Sequence, residues 1–208
     1  MVHVYNLCFF IDKLINDAKS TNSVNTIFLD ETNTLVGENT DVYGLQAAYL
    51  KGIDNSSNKK VLVIGAGGVS PSVILSIQKT GIRNVSITNR TNEKCIFLKK
   101  KFNFLSIIPW VEFKSEIKNF DIIINATSLG LKNGDDFQIK FNNVKSDLIY
   151  IDTIYNPLET KTIKYLKEND ISSQENNVRF VLHKTCSFVI GPIHVVGKFK
   201  KFPAIQGH

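Results

Sequence analysis

Short apolar runs, each closed by small or polar residues, alternate along this chain with stretches in which apolar positions recur every three to four residues. Residues 61–64 form a β-branched run behind a polar lead at 55–60, and the run stops at Gly65-Ala66-Gly67-Gly68. An amphipathic stretch follows over 70–79, so strand, glycine turn and helix stand in order. The same pattern predicts a strand at 84–88, opened by the turn around Gly81, a helix at 92–101 and a third strand at 104–108. A buried fourth strand is predicted at 121–124, a fifth at 148–151 and a helix over 159–168. This alternation predicts an α/β fold built on a doubly wound parallel sheet. The flanks read differently. Residues 9–18 are amphipathic, with Lys13 and Lys19 read as exposed helix positions, and 25–36 read as a hairpin or short strand pair. A helix is predicted near 178–190, and from Gly191 onward no period emerges and no structure is assigned.

Composition narrows the class. At 208 residues, 43% hydrophobic and 21% charged, the chain buries a real core, which excludes a disordered tail or a low-complexity filament. No apolar run approaches the roughly 18–20 residues of a membrane helix, so no membrane partner is expected. The first ten residues are apolar but carry His3 and Asn6, without a basic lead or a small-residue cleavage site, so no signal peptide is expected. Cys8, Cys95 and Cys186 form no CxxC pair, which reads as reduced thiols in a cytoplasmic protein. Histidines at 3, 183, 194 and 208 are too scattered for a zinc site, so no metal is expected. The net charge of +6 comes mostly from dispersed lysines, clustered only at 99–101 and 198–201, so no nucleic-acid partner is expected. Arginine is scarce, at positions 83, 90 and 179 only, which draws attention to Arg90.

Five motifs carry candidate chemistry. Gly65 to Ser70 sits between a strand and a helix, where a tight turn lets the backbone approach a pyrophosphate and the helix aims its N–H groups at the anion. The pattern departs from GxGxxG at Ser70, and the alternative is a plain tight turn. Asn89-Arg90-Thr91 stands about 20 residues past the glycines, where an NAD-binding protein carries an acid. An arginine fork with small polar neighbours, and Lys94 four residues on, suits a 2′-phosphate, which predicts NADP over NAD; the alternative is a solvated helix start. Asn125-Ala126-Thr127-Ser128-Leu129-Gly130 closes the fourth strand, where small residues let a flat ring approach the backbone or simply make a turn. Asp41 precedes an apolar run to Leu50; it reads as a helix cap or as a carboxylate facing the cleft, and spacing alone favours the cap. Tyr155, in Tyr155-Asn156-Pro157-Leu158-Glu159-Thr160, lies where its hydroxyl meets a substrate or packs at a turn, and Thr160 is placed to start a helix.

Together with Ser23-Val24-Asn25-Thr26 and Gly37-Glu38-Asn39-Thr40-Asp41, these segments resemble the shikimate dehydrogenase family from about residue 10 to 166. Glutamyl-tRNA reductase shares the glycine turn, an Asn-Arg-Thr and an Ala-Thr-Ser, but is not expected to share the Asn-Thr-Asp or Tyr-Asn-Pro-Leu-Glu-Thr segments. The resemblance implies a Rossmann-like NADP-binding domain over 41–170, a remnant of a substrate-binding domain over 1–40, and a divergent C-terminal helix and tail over 171–208. It implies reversible, NADP-dependent reduction of 3-dehydroshikimate to shikimate, a step of chorismate and aromatic amino-acid biosynthesis, with a homodimer left open. Asn25, Asp41 and Tyr155 would bind substrate, and Asp41 would be half of a catalytic Lys–Asp pair. Gly65, Ala66, Gly67, Gly68 and Val69 would hold the pyrophosphate, and Asn89, Arg90, Thr91 and Lys94 the 2′-phosphate. Thr127 and Thr153 would lie near the nicotinamide. This tips Asp41 from cap to site. The sequence departs from the family in two places. No Asn-Val-Thr-x-Pro-x-Lys motif precedes Ser23, and Lys184 stands where the family places a substrate-touching Gln. Both ends read as replaced, so a catalytically inactive NADP-binding fragment is the alternative expectation.

Overall fold

The computed structural model describes residues 8, 10–50, 53, 58–132, 137, 139, 141, 143–154, 157, 159–169, 180–181 and 194–196. In chain order these form β1 (Lys13–Leu14), α1 (Asn16–Thr21), β2 (Thr26–Leu29), β3 (Leu35–Glu38) and α2 (Asp41–Leu45), which runs on as a π-helical turn over Gln46–Leu50. Then come β4 (Lys60–Ile64), α3 (Ser70–Lys79), β5 (Asn84–Thr88), α4 (Asn92–Lys101), β6 (Leu105–Ile107) and α5 (Phe113–Glu116). The chain continues through β7 (Ile122–Asn125), β8 (Ile149–Asp152), α6 (Lys161–Glu168), β9 (Phe180–Val181) and β10 (His194–Val196).

The larger sheet has six strands in the order β6-β5-β4-β7-β8-β9, and every pairing is parallel. Its central strands are apolar runs because helices cover both faces, as a parallel sheet requires. Val61, Val63, Val85, Ile87, Ile122 and Ile124 point to one face, where α2, α3 and α4 close the core with Val42, Ile74, Ile77 and Leu98. Leu62, Ile64, Ile123 and Tyr150 point to the other, against Phe113 of α5, Ile163 and Leu166 of α6, and Phe137 and Phe141. The smaller sheet runs β1-β3-β2-β10, with β2 and β3 forming the expected hairpin. Helix α1 of this part packs against α3 of the larger one, and so does α2, the helix that follows β3.

Two expectations on the flanks are corrected. Residues 9–18 are not one helix: Lys13 and Leu14 pair with Val36 and Gly37, so Lys13 lies on a strand, and only Lys19 keeps its exposed helix position. Gly37 makes room for this, since a Cβ there would meet Val24, Ile11 and Leu14 side chains at 2.9–3.2 Å. Phe180 and Val181, placed in a predicted helix, instead extend the large sheet beside Tyr150 and Ile151. The tail contributes β10, parallel to β2 over Thr26 to Phe28. The rest of 170–208 lies outside the described residues.

Candidate active site

Strand order reverses between β4 and β7, and the crevice beyond their C-terminal ends is where open α/β sheets bind ligands. Gly65 occupies that point. Its N–H donates to the Thr88 carbonyl at 2.8 Å, and its φ of +114° lies in the region that favours glycine. A Cβ there would land 2.7 Å from both the Ala126 carbonyl oxygen and Thr127 Cγ2. Two positions on, the Gly67 Cβ direction meets nothing closer than 3.9 Å, and that of Gly68 meets nothing within 4 Å. The loop is thus pinned on its inner side and open on its outer side, which suits a phosphate over the start of α3. Ser70 steadies it, donating from Oγ to the Gly65 carbonyl at 3.0 Å.

Asn89 braces the same loop. Its Oδ1 accepts from Ala66 N–H at 3.3 Å and its Nδ2 donates to the Thr91 carbonyl at 2.9 Å. This amide is therefore engaged with the protein itself, and Arg90, Thr91, Asn92, Glu93 and Lys94 are all exposed beside it. At the end of β7, Asn125 Oδ1 accepts from both Thr127 N–H (3.0 Å) and Thr127 Oγ1 (2.8 Å), a tight local turn that presents a half-buried Thr127. The Thr153 hydroxyl donates to the Asn125 carbonyl at 2.8 Å, so it too serves the scaffold. Behind both lies Asp152, 2% exposed, which accepts from Asn125 Nδ2 (3.0 Å), Ile154 N–H (3.0 Å) and Thr160 Oγ1 (2.9 Å). Burial pushes its carboxyl up to about 6 against the pull of those three donors.

The second half of the site stands at the head of α2. Asp41 does not cap that helix. It is the first helical residue, behind a Thr40 that makes no side-chain cap bond. Its Oδ1 instead accepts from Asn25 Nδ2 at 2.6 Å, and Asn25 Oδ1 in turn accepts from Thr40 N–H at 3.0 Å. Both are buried, at 9% and 6% exposure. Burial raises the Asp41 carboxyl to about 7, with the Asn25 bond working in the opposite direction. Tyr155 and Lys184 lie outside the described residues. Among the described residues no cluster of three metal-ligating side chains occurs, and no helix is long and apolar enough to cross a membrane.

Sequence reasoning took Asn125 only as the start of a turn and gave Asp152 no role in this network. Asp152, the last residue of an apolar strand, carried a signal: an acid at the end of a buried run has to be satisfied by neighbours.

A parallel sheet that reverses its order beside such a turn defines the class of dinucleotide-binding α/β proteins. Within that class the chain belongs to the shikimate / quinate 5-dehydrogenase family, whose pattern matches residues 48–171. It is 38% identical over 181 residues to the shikimate dehydrogenase (NADP(+)) of Pelagibacter ubique, covering 87% of this chain and 66% of that one. With the shikimate dehydrogenase (NADP(+)) of Methanococcus aeolicus the identity is 37% over 172 residues, covering 80% and 61%. The crystal structure of shikimate dehydrogenase from Aquifex aeolicus superposes with a TM-score of 0.77 at 30% identity, covering 92% of this chain and 66% of that one. This chain therefore spans a little under two thirds of the length of these relatives.

Proposed function

We propose that the protein works in the NADP-dependent, reversible reduction of 3-dehydroshikimate to shikimate, a ring ketone converted to a secondary alcohol. The observation that carries this reading is the Asn25–Asp41 pair, a buried carboxylate poised near neutrality at the head of a helix packed on α3, the helix that rises from the glycine turn. Residues 65–69 and the start of α3 hold the pyrophosphate through backbone N–H groups. Arg90, Thr91 and Lys94 take the 2′-phosphate, and Asn89 shapes the loop they stand on. Thr127 and Thr153 line the nicotinamide end, and Asn25, Asp41 and Tyr155 contact the substrate. A nicotinamide bound there would supply the hydride chemistry. Asp41 takes the hydroxyl proton in the oxidation and returns it in the reduction, for which a carboxyl near 7 is well matched. In this reading residues 1–40 belong to the substrate side and 41–170 to the cofactor side. The unpaired thiols of Cys8 and Cys95 support a reducing, cytoplasmic setting.

One observation favours a second reading, an NADP-binding protein without turnover. Among the described residues Asp41 has an amide partner but no Lys or Arg in ion-pair contact. Titration with NADPH and NADH, followed by shikimate oxidation on the same sample, separates the two. NADPH is expected to bind about tenfold or more tightly than NADH, with Arg90→Ala removing the preference, since a charge-assisted bond is worth roughly 1.5–3 kcal/mol. Shikimate-dependent reduction of NADP+ establishes the first reading. NADPH binding without it establishes the second, and absence of NADPH binding sinks both.

A further inference from the structure

Between the Asn25–Asp41 pair and the glycine turn runs a buried line of hydrogen bonds with Asn39 at its centre. Asn39 is 3% exposed. Its Oδ1 accepts from the Asp41 backbone N–H at 3.1 Å, satisfying one of the amides that the start of α2 leaves unpaired. Its Nδ2 donates to Ser72 Oγ at 2.9 Å, with the Ser23 carbonyl at 3.0 Å and Thr21 Oγ1 at 3.1 Å sharing the same group. Ser72 is fully buried in the first turn of α3, two residues past Ser70, whose hydroxyl holds the Gly65 carbonyl. The path from Asp41 to the dinucleotide loop is thus Asp41, Asn39, Ser72 and one helical turn. An amide is the side chain that fits, because it presents an acceptor on one edge and donors on the other. A carboxylate at 39 would set an oxygen against the Ser23 carbonyl, which can only accept, and an apolar residue would strand the Asp41 amide.

We propose that Asn39 is a positioning residue that clamps the head of α2 to the first turn of α3, fixing the spacing between the Asp41 carboxylate and the dinucleotide loop. The clamp rests on the reading of Asp41 as the acid–base group, and Asn39 acts by geometry alone. That geometry is demanding, since a misplacement of about 1 Å costs on the order of 10²-fold in rate. The far end of α3 is tied separately, by the exposed pair Lys79–Asp17, which provides a comparison remote from the chemistry.

Three variants of the full chain test it: Ser72→Ala, Asn39→Ala and Lys79→Ala. Hydrogen exchange at the Asp41 amide reads the clamp without ligand. Exchange there is expected to be about tenfold faster in Ser72→Ala and in Asn39→Ala, with the amides of β4 and β7 unchanged and Lys79→Ala matching wild type. In turnover, Asn39→Ala is expected to lower kcat by about 10–100-fold with the KM for NADP+ within about twofold. Wild-type exchange at Asp41 in Ser72→Ala overturns the proposal. So does a kcat loss accompanied by an equal rise in that KM, which would mean the cofactor loop itself had failed. Ser72→Ala decides the matter where Asn39→Ala does not fold. If wild type binds NADP+ without turnover, the proposed activity fails by itself and the exchange measurement alone decides the clamp.

Discussion

At Gly65 a single hydrogen atom separates two strands. The backbone lies in the left-handed region and the space a methyl needs is filled by the turn after β7. Gly65→Ala combines backbone strain with overpacking, about 2–5 kcal/mol together, and urea unfolding should show a loss of that size along with loss of NADPH binding. Asp41 has the opposite character, because the native fold holds it at a cost. Its carboxyl rises from about 3.9 in the unfolded chain to about 7 in the folded one, so above pH 7 the folded state bears a buried charge. Asp41→Asn keeps an oxygen for Asn25 Nδ2 and removes that charge. It is expected to stabilise the protein at pH 8 by on the order of 1–4 kcal/mol. The gain should vanish below about pH 4, where the wild-type residue is protonated in both states. Denaturant midpoints at the two pH values check it, while turnover should fall by about 10²-fold or more.

Elements are joined by residues with two jobs. Thr160 caps α6, accepting from Ile163 N–H, and donates to Asp152 beneath it at 2.9 Å. Thr160→Val preserves the shape and removes both bonds, leaving a buried carboxylate short of a donor. The expected cost is about 2–4 kcal/mol, one part cap and the larger part the lost bond to a charged acceptor. Thr160→Ser should stay close to wild type in the same urea titration, because the hydroxyl is what matters. The boundary of α6 was readable from Thr160 behind Pro157, and α3 and α4 from their amphipathic spacing and the turns before them. The strand β1 was not readable. Its two residues are strand only because β3 lies beside them, and an isolated reading of an amphipathic segment has no access to that neighbour.

For the whole molecule the two buried acids set the pH response. Asp41 and Asp152 both have folded values raised by burial, to about 7 and about 6. Their contribution to stability is complete below about pH 4 and declines as pH rises through 6 and 7. Asp121 works the other way. It is held below the ordinary carboxylate range, against the cost of its burial, by Lys145 at 2.7 Å and the Lys60 N–H, so its contribution is lost only as pH falls below about 4. Thermal midpoints are therefore expected to decline from pH 5 to pH 8, and the double variant Asp41→Asn with Asp152→Asn should flatten that slope. A slope that survives in the double variant would place its origin elsewhere.

The pattern of residues determined by itself what depends on local physics. Runs such as 61–64 and 122–124 had to be central parallel strands, since they have no polar face to offer water, and the glycines after the first run had to make the turn. Tertiary structure alone decided which side chains meet. Asn89 and Thr153, expected from the resemblance to lie at the cofactor, also brace backbone, Asn89 at Ala66 and Thr91 and Thr153 at Asn125. Spacing alone favoured a cap for Asp41 and only the family resemblance moved it to the site; in the fold it is a buried carboxylate held by Asn25, sixteen positions earlier in the chain. Asn39 meets Ser72 across thirty-three positions. The pairing of β2 with β3 brings the first of these partners together and the packing of α2 on α3 the second, and no local period or turn signal records a distance of that kind.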